Sequence, residues 1–225
     1  LSLHDALPIY YVLGINFNGE AFTKQLPDSS SLPNTSMSTI GAFIQDDWKI
    51  SNAFTLQSGL RVDQNNVYGN FILPRLSMMY KVNNKITMRL GGGAGYKTPS
   101  LFSSELDERE IPYIIGLGQN IKSENSLGAN YDINYKTKMD DWELTLNQTF
   151  FYNSIANPIT AQAAPTYYYN NFPPTLSYYL FDNEQKSLES KGMESYVQAI
   201  KGPLELYAGY VYTDAKRNYN SIASI

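Results

Sequence analysis

The chain has 225 residues and no cysteine, which excludes a disulfide framework, a thiolate metal site and a cysteine nucleophile. Its net charge of −4 gives no electrostatic case for nucleic acid. No run approaches the roughly 18 apolar residues of a membrane-spanning helix, whereas 19 Tyr and 10 Phe among abundant Asn, Ser and Thr favour β-structure and leave a membrane β-barrel open.

The first nine residues, LSLHDALPI, stand apart and carry the sole histidine, His4. They lack the basic start and apolar run of a secretory signal, and Pro8 would end a helix within two turns. The codons CTT TCC CTA CAC GAC GCT CTT CCG ATC would translate to this stretch, and that DNA resembles the end of a short-read sequencing adapter. We therefore set residues 1–9 aside as a non-native adapter artefact, with the natural chain cut upstream of Tyr10. Recovery of those codons from a genomic clone would overturn this.

From Tyr10 onward the period is two, the mark of half-buried strands. Nine strands are expected, at 10–24, 39–50, 54–63, 74–82, 85–96, 123–136, 142–161, 179–200 and 204–216. In the seventh, Trp142, Leu144, Leu146, Phe150 and Tyr152 share one face, and Glu143, Thr145, Asn147 and Asn153 the other. Tight polar links at 51–53, 83–84, 137–141 and 201–203 alternate with long ones at 25–38, 64–73, 97–122 and 162–178. That parity puts every tight turn at one end of an up-and-down sheet, as in outer-membrane barrels.

One face carries Gln57, Arg61, Asp63, Arg89, Asp132, Lys136, Glu143 and Glu205, which a dry sandwich core could not take unpaired but a wet lumen could. The other is aliphatic, with Trp48, Phe54, Trp142 and Tyr212 near strand ends, as interfacial girdles require. The fold expected is all-β: an antiparallel, up-and-down transmembrane β-barrel. An odd strand count and the polar tail RNYNSIASI mark residues 10–225 as part of a larger one.

Candidate sites are few. Gly91, Gly92, Gly93 and Gly95 lack the Lys-Ser/Thr of a phosphate loop and read as strand bending or close approach. Glu105, Asp107, Glu108 and Glu110 lack EF-hand spacing, so no metal site is assigned. Asp46 and Asp47 point to opposite faces, and without His4 no Ser-His-Asp triad assembles; no catalytic residue and no cofactor is expected. The stretch TYYYNNFPP places Tyr167, Tyr168, Tyr169, Asn170 and Asn171 in a long loop, where phenols and flat rings suit an aromatic or sugar-like ligand.

Four segments, in order, resemble TonB-dependent outer-membrane receptors. These are GAFIQDDWKISNAFTLQSGLRVD (41–63), GGGAGYKTPSLFSSE (91–105), IKSENSLGANYDINYK (121–136), and KSLESKGMESYVQAI with ELYAGYVYTDAK (186–216). The resemblance is to the branch that imports ferric siderophores, with cobalamin and haem receptors near it. It implies a barrel of about 22 strands in the bacterial outer membrane. It also implies a globular plug and a TonB energy-coupling protein that acts through an N-terminal region outside this sequence. On that reading the part in hand could not transport alone. The alternatives left open are a passive porin-like channel and a soluble β-sandwich binding module.

Overall fold

The computed structural model describes residues 9–23, 34–100, 114–163 and 179–217. Nine antiparallel strands form one sheet: β1 (Ile9–Phe22), β2 (Thr35–Lys49), β3 (Phe54–Asn65), β4 (Gly69–Lys81), β5 (Ile86–Lys97), β7 (Glu124–Met139), β8 (Trp142–Ala156), β11 (Leu188–Lys201) and β12 (Leu204–Arg217). Each pairs with its neighbour in that order, an up-and-down meander whose free edges are β1 and β12. A second, three-stranded sheet is built from β6 (Ile114–Leu117), β9 (Ile159–Ala163) and β10 (Tyr179–Asn183). Residues 1–8 of the expected adapter stretch lie outside the described residues, while Ile9 opens β1 opposite Trp48.

Two of the tight turns are closed by single side chains. Ser51 Oγ accepts from the Ala53 and Phe54 amides at 3.2 and 3.0 Å, and Asn83 Oδ1 from the Lys85 and Ile86 amides at 2.8 and 2.9 Å. Asp140, with φ 53°, makes a two-residue hairpin between Met139 and Trp142. The four turns expected to be tight all lie at one end, but the turn at 66–68 is also short and lies at the other, so the parity of short and long links is not strict.

Four expectations need correction. The link expected at 64–73 shrinks to residues 66–68, because β3 and β4 run on to the pair Asn65–Gly69. Asn65 explains it: its Oδ1 accepts from the Val67 and Tyr68 amides, both at 2.9 Å, so an Asn-rich run that reads as a loop closes as a turn. The strand expected over 142–161 breaks at Asn157 (φ 54°) before Pro158, giving β8 and β9. That over 179–200 divides likewise into β10 and β11, and β6 arises inside the expected long link 97–122.

The two faces of the large sheet differ as alternation requires. Leu13, Ile15 and Phe17 are 72%, 84% and 71% exposed, and Ile44, Leu60, Ile72, Leu90 and Leu127 are exposed on the same face. Among the described residues no second layer covers them, which removes the β-sandwich. Two polar residues on this face, Gln148 and Ser195, satisfy each other at 2.5 Å. The opposite face is polar and concave, since the cavities along the sheet open there. An exposed apolar face of this extent is costly in water and normal in lipid.

Candidate functional site

The concave wall beneath the long connections holds the most ordered polar cluster. Asp63 is 1% exposed. It accepts from Arg61 Nε at 2.8 and 3.0 Å and from the Tyr96 hydroxyl at 2.8 Å. Arg61 and Asp63 are two apart on β3, so alternation puts both on the same face. Gly41, opposite Asp63 on β2, leaves the space the carboxylate needs; a Cβ there would collide with Asp63 Oδ1. Beside it Asn65 Nδ2 donates to Thr39 Oγ1 at 2.8 Å.

Tyr96 is the residue that sequence alternation misplaces. Its parity on β5 matches that of outward Leu90, yet its ring stacks on Phe71, with centroids 3.7 Å apart and planes 9° from parallel. The pairing of β5 with β4 stops at Arg75–Gly93 while that with β7 continues to Lys97–Glu124, so at Tyr96 the strand is open only on its β4 side, the side on which Phe71 lies. The glycines of that run pack closely: a Cβ on Gly93 would lie 3.1 Å from Pro74 O, and one on Gly95 2.7 Å from Ser126 Oγ. This agrees with the close-approach reading of the cluster.

Arg61 spends only Nε on Asp63. Among the described residues its two terminal amino groups have no partner, and they border a cavity of about 570 Å³ lined also by Asn18, Glu20, Thr39, Tyr96 and Lys97. Lys97 reaches Glu124 at a loose 3.9 Å. A second cavity, about 460 Å³, adjoins the first through Glu20 and Met37 and is lined by Phe22, Val67, Tyr68, Pro99 and Leu117. Burial pushes the Tyr68 phenol above its ordinary pKa, so at neutral pH it stays a hydroxyl donor. Together these cavities make one vestibule. Its polar half offers Arg61 and Lys97, beside the carboxylates of Glu20 and Asp63, as donors to anionic oxygen, and its apolar half can take flat rings.

The residues expected from sequence to bind ligand, Tyr167, Tyr168, Tyr169, Asn170 and Asn171, lie outside the described residues, as do Glu105, Asp107, Glu108 and Glu110. Arg61 and Asp63 were visible as members of the polar face, but their coupling to Tyr96 was not. Elsewhere on that face Asp132 is held by Thr149 Oγ1 and Asn130 Nδ2, both at 2.6 Å, and Asp47 by Gln57 Nε2 at 2.6 Å. These carboxylates are satisfied within the wall.

Comparison with known proteins agrees with this architecture. The family profile described as TonB dependent receptor-like, beta-barrel matches residues 5–224. The iron-regulated outer membrane virulence protein of Vibrio cholerae is 25% identical over 222 residues, covering 93% of this chain and 33% of the relative. The ferrienterobactin receptor of Escherichia coli is 25% identical over 142 residues, 57% of this chain and 18% of that protein. Among solved structures, the siderophore receptor PirA from Pseudomonas aeruginosa superposes with a TM-score of 0.72 at 21% identity, over 96% of this chain and 38% of PirA. The FrpB iron transporter from Neisseria meningitidis does so at 0.70 and 15% identity, over 92% of this chain and 33% of FrpB. The chain thus spans about a third of the length of these full-coverage relatives. With a profile match across nearly its whole length and nine strands in the matching meander, the chain belongs to the TonB-dependent receptor family, as a part of its outer-membrane β-barrel.

Proposed function

We propose that this chain is barrel wall from an energy-coupled receptor that imports a scarce nutrient as an anionic metal chelate, a ferric siderophore being the best fit. It is a transport receptor and not an enzyme. The observation that carries the reading is the two-part vestibule, where Arg61 and Lys97 line one cavity and Phe22, Val67 and Tyr68 line the cavity that adjoins it. Ferric chelates with oxygen donors are anionic, and many carry aromatic rings, so both halves have a use. Cobalamin and haem are the competing cargoes. Energy reaches the barrel from a TonB-type protein through a plug region, and the wall alone does not transport.

The test is titration of the intact receptor in detergent with ferric enterobactin, haem and cobalamin, followed by calorimetry. Saturable binding of the ferric chelate, weakened severalfold by Lys97→Gln, supports the reading. Lys97 is well exposed, so its loss leaves the wall intact. Binding of haem or cobalamin alone would replace the cargo, and no saturable binding of any of the three would point to a passive channel.

A further inference from the structure

The second sheet joins two connections that are far apart in sequence. Strand β10, from the connection between β8 and β11, pairs in parallel with β6, from the connection between β5 and β7, and antiparallel with β9. It holds the most buried apolar pair of the described residues, Leu180 at 8% and Phe181 at 2% exposed. The Gly118 amide donates to Phe181 O at 2.7 Å, and any side chain at Gly118 would run into the Asp182 carboxylate.

Asn183 is the link that spans both connections. Its Oδ1 accepts from the Lys122 amide at 2.6 Å, while its Nδ2 donates to Lys122 O at 2.9 Å and to Asn157 O at 2.8 Å. One amide side chain therefore satisfies backbone groups on both, and uses all its hydrogens doing so. Glu124 adds a second tie by accepting from the Ile159 amide at 2.7 Å. The first connection also supplies Leu117 to the apolar half of the vestibule.

We propose that Asn183 is a positioning residue, a clasp that makes residues 114–122 of the first connection and β10 of the second open and close as one body beside the vestibule. A ligand contact at Leu117 is then transmitted to β10. The transmission rests on the receptor reading above; the clasp itself does not. The coupling follows from the geometry: Gly118 cannot leave Phe181 without stripping a backbone bond from each connection, and Lys122 cannot leave Asn183 without orphaning three groups.

Hydrogen exchange on the intact, ligand-free protein in detergent tests this. In the unaltered protein, amides of 116–118 and of β10 should share one opening rate and one denaturant dependence. Asn183→Ala should speed exchange at Gly118, which Asn183 does not touch, by at least tenfold while β2 to β5 amides stay protected. Asn183→Asp keeps the acceptor but sets a carboxylate oxygen against the Lys122 and Asn157 carbonyls, so at neutral pH it should speed exchange at Gly118 at least as much as Asn183→Ala. Thr160→Val, which cuts the 3.0 Å bond to Glu184 within one connection, should leave Gly118 unchanged. A Gly118 amide indifferent to Asn183→Ala overturns the proposal. Should that variant not fold, separate opening rates for 116–118 and β10 in the unaltered protein overturn it equally. Adding ferric enterobactin afterwards separates the two readings, because absent ligand protection with an intact shared rate refutes the cargo and keeps the clasp.

Discussion

Removing Arg61 should cost the wall more than removing the acid it pairs with. Asp63 is 1% exposed and Arg61 38%. In Arg61→Ala the carboxylate stays buried with only the Tyr96 hydroxyl, a loss of about 3 kcal/mol, the low end for breaking a buried ion pair. In Asp63→Ala the guanidinium turns to water, and the main cost is an orphaned Tyr96 hydroxyl and lost packing, about 1.5 kcal/mol. The double variant has no stranded charge and should cost about 2 kcal/mol, well short of the sum, a coupling of about 2.5 kcal/mol. Local opening free energies from hydrogen exchange of β3 and β4 amides give all corners of this cycle. Additive costs, or a milder effect of Arg61→Ala than of Asp63→Ala, would refute the pairing as a buried strut.

Two further variants probe the sequence-to-structure links. Asn65→Ala removes the acceptor for the Val67 and Tyr68 amides and the donor to Thr39. It should cost about 1 to 2 kcal/mol and increase exchange at 66–68 without disturbing the opposite end of β3. Glu143→Gln deletes the 2.5 Å pair with Lys138, but both groups are solvent-exposed, so thermal unfolding should not move measurably.

The strands were legible because one physical demand dominates their residues: alternate positions face different solvents, and Trp142, Leu144 and Leu146 obey that demand without a partner. The turns were legible where Ser51 or Asn83 closes the chain locally. What the sequence hides is whatever depends on distant partners. Asn65 reads as loop until its side chain is seen capping the turn, and IIGL at 114–117 reads as loop until β10 is placed beside it. Tyr96 obeys alternation on paper, yet its ring lies against Phe71 of β4, beyond the point where the ladder between those two strands ends at Gly93. The Arg61–Asp63 pair could be drawn from spacing alone, but the stacked Phe71–Tyr96 lid beside it could not.

These 225 residues hold no cysteine, so with any cysteine elsewhere in the receptor replaced, β1 can be labelled one position at a time. Spin labels placed singly from Leu13 to Asn18 in the intact receptor, reconstituted in lipid, report collision with oxygen from the membrane and with a nickel chelate from water. A period of two is required: Leu13, Ile15 and Phe17 meeting oxygen, Gly14, Asn16 and Asn18 meeting nickel. Equal access of nickel to both sets would mean that the aliphatic face is wet and that this wall does not stand in a bilayer.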